Sequence, residues 1–127
     1  MDKLTICYNC LMKTYQGSCH CGAVAYSVNG ELTEGMRCNC SHCKRKGFLL
    51  AFAPDSDFTL LRGADAQTMY HFNKNHIDHS FCTTCGVQSF GHGHDGKGNY
   101  MTMINLNCLE DFDISTLKIN EYDGASL

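Results

Sequence analysis

The chain has 127 residues, of which 43% are hydrophobic, and its formal net charge is −3. No apolar stretch approaches membrane-spanning length, so the composition predicts one soluble domain with a modest core and no membrane partner. The first residues lack the apolar region and the cleavage site of a secretory signal, and we therefore expect a cytoplasmic protein. The acidic balance makes nucleic acid an unlikely partner, because nucleic-acid binding usually needs a basic face.

Most predicted elements are short β-strands. Val24, Tyr26 and Val28 alternate with smaller residues and lead into a turn at Asn29-Gly30. A short apolar run over 48–53 ends at Pro54 and is interpreted as a buried strand. Further strands are predicted over 58–61, 69–72, 77–81, 87–90, 100–106 and 117–122. Short strands at this spacing indicate a mainly β domain.

Helix is expected to be scarce, because no segment has a long, capped pattern of helical period. Short helical turns are predicted around 40–46 and 108–111. The glycine-rich segment 91–98 is predicted to be a flexible loop between two strands. A single proline and the lack of low-complexity segments indicate one domain without a linker.

Seven of the ten cysteines fall into three tight clusters. Tetrahedral zinc with bonds of about 2.3 Å to sulfur needs sulfurs roughly 3.8 Å apart, which short local spacings supply. Cys19 and Cys21 would share one face of a strand end, and Cys82 and Cys85 form a C-x-x-C turn before Gly86. The two pairs together predict a closed structural zinc site that ties distant segments, so its metal-binding free energy becomes folding free energy.

The middle cluster, Cys38, Cys40 and Cys43, holds three sulfurs and predicts a second zinc. Three thiolates leave one coordination position for water or a substrate, which is typical of catalytic zinc. A fourth protein ligand would instead close the site. The alternatives left open by the sequence are Cys7, Cys10, Cys108, His42, His92 and His94. By default, Cys108 is a buried inert thiol and the pair at 7 and 10 is incidental.

The only basic run, Lys44-Arg45-Lys46, follows Cys43 directly. Such a run is usually a solvated face, and the functional alternative is that it attracts an anionic substrate to the adjacent metal. Among the histidines, His20 should face away from the metal and His71 should pack or lie on the surface. The better candidates for proton transfer are His42, His92 and His94, although no single one of them is favoured.

Three motifs in order resemble the glutathione-dependent formaldehyde-activating enzyme family, also called the centromere protein V family. They are Tyr15-Gln-Gly-Ser-Cys-His-Cys-Gly-Ala-Val24, Cys38-Asn-Cys-Ser-His-Cys-Lys-Arg45 and Phe81-Cys-Thr-Thr-Cys-Gly86. The resemblance also includes Asn105 and the closing Tyr122-Asp-Gly124. Residues 1–13 fall outside it and are interpreted as an N-terminal extension to a single domain over 14–127.

The resemblance implies a β-tent fold of antiparallel sheets stapled by zinc. It implies a structural zinc on the outer four cysteines and a second zinc on Cys38, Cys40 and Cys43, where the sulfur of glutathione is received. The implied reaction joins formaldehyde to that thiol and is classed, in reverse, as carbon–sulfur lyase. The family commonly has arginine where Lys44 stands, and an arginine would bind a carboxylate with better directionality.

The leading hypothesis is therefore a zinc-dependent carbon–sulfur lyase that acts on an adduct of a small thiol and an aldehyde. Lys44 and Arg45 are the candidate contacts for substrate carboxylates. One alternative is a non-catalytic zinc module that binds a protein or nucleic acid. The other is a metal or redox buffer, in which the three-cysteine cluster stores zinc or reacts with oxidants.

Overall fold

The computed structural model describes residues 13–72, 77–94 and 97–126. Within these ranges the chain forms ten strands: β1 (Lys13–Ser18), β2 (Ala25–Gly30), β3 (Glu34–Cys38), β4 (Leu50–Pro54), β5 (Phe58–Arg62), β6 (Gln67–Tyr70), β7 (Ile77–Cys82), β8 (Phe90–His94), β9 (Tyr100–Asn105) and β10 (Lys118–Tyr122). The helical elements there are α1 (Ser41–Lys46) and four 3-10 turns, at Asp55–Asp57, Leu106–Cys108, Ile114–Thr116 and Gly124–Ser126. The mainly β prediction is confirmed. In the described part of the chain no helix has the length and apolar character needed to cross a bilayer.

The strands form two open sheets. One has three strands in the order β1-β2-β5, and the other has seven in the order β10-β3-β4-β9-β8-β7-β6. The pairs are antiparallel except for β10 and β3, which run parallel. The expectation of antiparallel sheets was therefore wrong for this one pair. The two strands are far apart in sequence, so no hairpin connection forces them to run in opposite directions.

The main core fills the space between the two sheets. Tyr26 and Val28 from β2 are fully buried there against Phe90 from β8 and Ile104 from β9. The Tyr26 ring stacks on Phe58 at 5.2 Å and meets Phe90 edge-on at 5.5 Å between ring centroids. The contact between Tyr26 and Phe90 therefore joins the two sheets.

The opposite face of the seven-stranded sheet carries a second, smaller apolar cluster. Phe48, Leu50 and Met103 are buried in it, and Met36 and Cys43 pack against them. The helical turn predicted around residues 40–46 is confirmed as α1, which lies on this side of the sheet. Packing of the partly buried Cys43 against this cluster thus holds α1 on the sheet.

Strand β1 (Lys13–Ser18) was not predicted, and two further strands differ from the sequence-based expectation. Strand β3 was not predicted, because Glu34-Gly-Met-Arg-Cys38 lacks a clear apolar alternation, yet it pairs with both β4 and β10. Strand β8 covers 90–94, whereas a strand had been predicted over 87–90 and a loop over 91–98, so these bounds were wrong. A Cβ on Gly91 would lie 3.0 Å from the Asp78 carbonyl oxygen and 3.1 Å from Met103 Cε. Close packing between β7 and β9 therefore overrides the weak strand propensity of glycine.

Candidate metal centre

Four cysteines from the outer two clusters meet at one point. The sulfurs of Cys19, Cys21, Cys82 and Cys85 all lie within 4.8 Å of one another. The Cys21 sulfur lies 3.7 Å from that of Cys19 and 3.6 Å from that of Cys82. These spacings agree with the roughly 3.8 Å edge of a tetrahedral zinc thiolate site. The donor set therefore fits a closed site for a metal such as zinc.

Each pair in this cluster is held by a tight turn that ends in glycine. Gly22 follows Cys21 with φ 83° and Gly86 follows Cys85 with φ 80°, a backbone conformation that favours glycine. The Val24 N–H lies 3.3 Å from the Cys19 sulfur, to which it donates. Cys19 and Cys21 thus lie in a turn after β1 and not on a strand end, so that detail of the expectation was wrong. Glycine here lets the backbone N–H groups point at sulfur.

The four-cysteine cluster connects the two sheets. Cys19 directly follows β1 of the three-stranded sheet, and Cys82 ends β7 of the seven-stranded sheet. Both side chains are almost fully buried. Because 61 residues separate Cys21 from Cys82, a metal here closes a long loop of the chain.

The middle cluster is assembled locally. The sulfurs of Cys38, Cys40 and Cys43 lie within 4.8 Å of one another, at the end of β3 and the start of α1. The Cys40 N–H donates to the Cys38 sulfur at 3.4 Å, and the Cys43 N–H donates to the Cys40 sulfur at 3.3 Å. Cys40 also caps the N-terminus of α1. In the described ranges, no fourth Cys, His, Asp or Glu joins the three sulfurs at this distance.

A segment near the C-terminus lies directly against this cluster. A Cβ on Gly124 would lie 2.5 Å from the Cys38 sulfur and 3.3 Å from Cys40 Cβ, so the position has no room for a side chain. Asn39 holds the segment in place: its Nδ2 donates to Asp123 Oδ1 at 3.0 Å and its Oδ1 accepts from the Ala125 N–H at 2.9 Å. The residue between two of the cysteines therefore positions the chain that covers them.

The two predicted carboxylate contacts lie on different sides of α1. Lys44 lines a cavity of about 240 Å³ that also includes Cys38 and Cys43. Arg45 lines a larger cleft of about 670 Å³ on the other side of the helix. Neighbouring helix positions differ by about 100°, so consecutive residues cannot share one face of a helix. Lys44 is thus the only one of the two beside the sulfurs.

Hydrogen bonding and burial shift the pKa values of several thiols in the two clusters. Burial raises the pKa of Cys43, and hydrogen bonding to Cys40 raises it further. Burial also raises the pKa of Cys40, but the N–H of Cys43 and the neighbouring thiols outweigh it and the net pKa shift is downward. The N–H groups of Val87 and Cys21, together with the neighbouring thiols, lower the pKa of Cys85 to about 6. Each cluster therefore holds a thiol whose pKa lies below its ordinary value, which favours the thiolate form that binds a cationic metal.

The other proposed ligands do not reach the three-cysteine cluster. Cys108 is half-buried, with its sulfur 3.9 Å from the Gln88 carbonyl oxygen, and burial raises its pKa. His92 lies on the opposite face of the seven-stranded sheet, where its Nδ1 is 3.1 Å from Thr102 Oγ1. His94 is the next residue on that face and contacts Tyr100. The predictions for Cys7 and Cys10 lie outside the described residues.

None of the remaining histidines in the described residues belongs to a metal cluster. His20 is exposed and takes no part in the metal clusters. The exposed His71 pairs with Asp78, with 2.6 Å between Nε2 and Oδ1. His42 turns toward the larger cleft, and its ring lies 4.2 Å from that of His79. Sequence reasoning did not identify His79, because it is recognisable only from its burial beneath His42.

Fold and site together define a mainly β protein with two cysteine clusters, each able to hold a metal ion. The sequence profile of the family described as glutathione-dependent formaldehyde-activating enzyme matches residues 14–122. The match covers most of the chain, and the protein therefore belongs to this family. The crystal structure of a Rhodobacter sphaeroides protein is similar, with 32% sequence identity and a TM-score of 0.70. The similarity covers 83% of this chain and 99% of that one.

Proposed function

We propose that the protein is a zinc-dependent carbon–sulfur lyase acting on the adduct of a small thiol, such as glutathione, with an aldehyde, such as formaldehyde. The observation that carries the proposal is the cluster of Cys38, Cys40 and Cys43, which lacks a fourth ligand within the described residues. Membership of an enzyme family named for glutathione and formaldehyde supports the same substrates. The alternatives of a non-catalytic module and a metal buffer gain no specific support from the geometry.

Two zinc ions per chain are proposed. The four-cysteine set at 19, 21, 82 and 85 would hold a structural ion, and the three-cysteine set a second one. Zinc bound by three thiolates would supply a positive centre with one open position for a substrate sulfur. The all-sulfur donor sets favour zinc over magnesium or calcium, which prefer oxygen ligands.

The cavity beside the three sulfurs is the proposed substrate site. Lys44 lies on its wall and would pair with a substrate carboxylate. Arg37 lines the same cavity, but its Nη1 lies 3.1 Å from Glu121 Oε1, so much of its charge is already compensated. Phe48 adds an apolar wall next to Cys43. Of the two predicted contacts, Lys44 is thus better placed than Arg45.

The proposed reaction transfers one proton and breaks or forms one carbon–sulfur bond. In the lyase direction the hydroxyl of the adduct loses its proton, the carbon–oxygen double bond forms, and the carbon–sulfur electron pair leaves with sulfur. The reverse direction adds the thiolate to the aldehyde carbon and returns a proton to oxygen. None of His42, His92 and His94 lines the cavity with Cys38 and Cys43, so solvent water is the proposed carrier of the proton. Positioning of the thiol is then the main contribution of the chain.

The proposal is tested by NMR exchange spectroscopy on the zinc-loaded protein with glutathione and formaldehyde. Faster exchange between free glutathione and its hydroxymethyl adduct than in buffer is expected, and it should be lost in Cys38→Ser. The Cys108→Ser variant is the matched control, because Cys108 belongs to neither metal cluster. Buffer-level exchange with this pair and with a panel of other thiols and aldehydes would overturn the proposal. A cytoplasmic location remains a prediction.

A further inference from the structure

The cleft on the far side of α1 is not used by the proposed reaction. It has a volume of about 670 Å³, within the range of small-molecule sites. Four aromatic rings and two cationic side chains line it: His42, Tyr70, Phe72, Phe81, Arg45 and Lys46. Its described lining contains no acidic side chain. The cleft therefore combines flat apolar walls with positive charge.

The rings form a stacking platform. The His42 ring lies 5.7 Å from Tyr70 at an interplanar angle of 15°, and 4.8 Å from Phe72 at 32°. Tyr70 and Phe72 are themselves stacked at 5.7 Å. Tyr70 nevertheless remains 50% exposed, so much of this aromatic surface is open to a ligand. A planar ring is the shape that such a surface accommodates best.

The cations are held at the edge of the same cleft. The Lys46 ammonium lies 5.3 Å above the centre of the Phe81 ring. Arg45 Nη1 donates to the Ser41 carbonyl oxygen at 2.9 Å, which anchors the guanidinium on its own helix. A guanidinium carries five N–H donors, so this bond leaves others for an anion. Two anchored cations without a nearby carboxylate in the lining favour an anionic ligand.

Buried histidine nitrogens lie in the wall of the cleft at His42 and behind it at His79. Both ring nitrogens of His42 and the Nε2 of His79 are buried, and none of them has a hydrogen-bond partner among the described residues. His79 is 2% exposed, and its Nδ1 lies 2.9 Å from the Gln88 amide nitrogen. Buried polar atoms without partners are rare in folded proteins and often mark functional sites. A purely structural aromatic cluster would need no such nitrogens.

We propose that this cleft binds a small molecule that combines one planar aromatic ring with an anionic group. Nucleoside monophosphates and aromatic carboxylates or phosphates share this chemistry. The ring would stack on Tyr70 and Phe72, and the anion would pair with Arg45 and Lys46. A long nucleic acid is disfavoured by the net charge of −3 and by a cleft sized for one small ligand.

The test is an NMR titration of the zinc-loaded full chain, with shifts of the His42, Tyr70 and Phe72 rings as the readout. Adenosine monophosphate and benzoate are the two main probes, and cyclohexanecarboxylate and benzamide remove the planar ring and the charge, respectively. Stronger binding of adenosine monophosphate would assign a nucleotide, and stronger binding of benzoate an aromatic acid. No ring shifts with either probe at millimolar concentration would overturn the proposal. Binding of a single-stranded oligonucleotide without the monomeric probes would do the same.

Variants separate stacking from charge. Tyr70→Leu should weaken binding on the order of tenfold, and Tyr70→Phe should retain it. Lys46→Gln should weaken ligand binding severalfold. Added salt should then lower the affinity of this variant less than it lowers the affinity of the original protein. Lys44→Gln makes the same charge change on the other side of α1 and should leave binding unchanged. Equal weakening in the Lys44 and Lys46 variants would reveal a general charge effect and contradict a defined site.

Discussion

The two cysteine clusters share the same local geometry but connect different parts of the chain. Both place sulfurs two or three residues apart, and in both the backbone N–H groups donate to sulfur. The four-cysteine cluster draws its pairs from both sheets, whereas the three-cysteine cluster is built from one stretch between β3 and α1. A metal in the first restrains the whole fold, and a metal in the second restrains mainly the segment that binds it. The proposed division into a structural and a reactive site rests on this difference in ligand number and chain separation.

The largest expected difference between the clusters is in folding. Cys82→Ser should lower the melting temperature severely, because apparent zinc-binding free energies of about 10–16 kcal/mol are folding free energy when the site joins distant segments. Cys38→Ser should lose about one zinc per chain and all activity with a much smaller change in melting temperature. Thermal unfolding and metal content of both variants give the measurement. Equal destabilisation by the two substitutions would refute the division.

The next effect concerns the close contact over the three-cysteine cluster. Gly124→Ala should displace the Cys38 sulfur, because the new Cβ would lie 2.5 Å from it. We expect loss of the second zinc and of activity, with the four-cysteine zinc retained. Ala125→Gly is the control, since it changes the same 3-10 turn without adding an atom near sulfur. Full zinc content in Gly124→Ala would show that the segment around residue 124 moves to accommodate the added methyl group. The contact with the Cys38 sulfur would then not control metal binding.

A smaller effect is expected from the basic residues of α1. Lys44→Gln should raise the KM for glutathione severalfold with little change in kcat, because Lys44 lines the cavity with the sulfurs. Arg45→Gln should leave both constants near their original values, because its side chain lies in the cleft on the other side. Steady-state kinetics of the two variants compare the sides directly. A larger increase in KM for Arg45→Gln than for Lys44→Gln would indicate that the substrate binds in the cleft on the other side of α1. That result would contradict the proposed site.

The smallest effect is expected for the ion pair at the edge of the reactive cavity. Arg37 and Glu121 are 58% and 69% exposed, and solvent screening limits such pairs to about 0–1 kcal/mol. Glu121→Gln should therefore change the melting temperature by only a few degrees. It also releases the Arg37 charge, so the KM for glutathione should fall or stay constant. A rise in KM would mean that the pair itself holds the site in shape.

Much of the metal chemistry was predictable because it depends on short spacings. The grouping of the outer four cysteines and the need for glycine after Cys85 both agree with the structure. Two strands, β3 and the glycine-containing β8, were not predictable from the sequence. Their residues have weak strand propensity. Pairing with neighbouring strands determines both of them.

The sequence by itself indicated the donors, because cysteines two or three residues apart can bind one metal ion when the chain turns between them. It also showed one group of three cysteines and two groups of two, while a fourth ligand for the group of three stayed open. Only the tertiary structure decided that Gly124 lies on the Cys38 sulfur, that Lys44 and Arg45 serve different cavities, and that His79 lies beneath His42. These contacts join residues distant in sequence or depend on which helix face is buried. Neither kind of contact can be predicted from the spacing of residues along the chain.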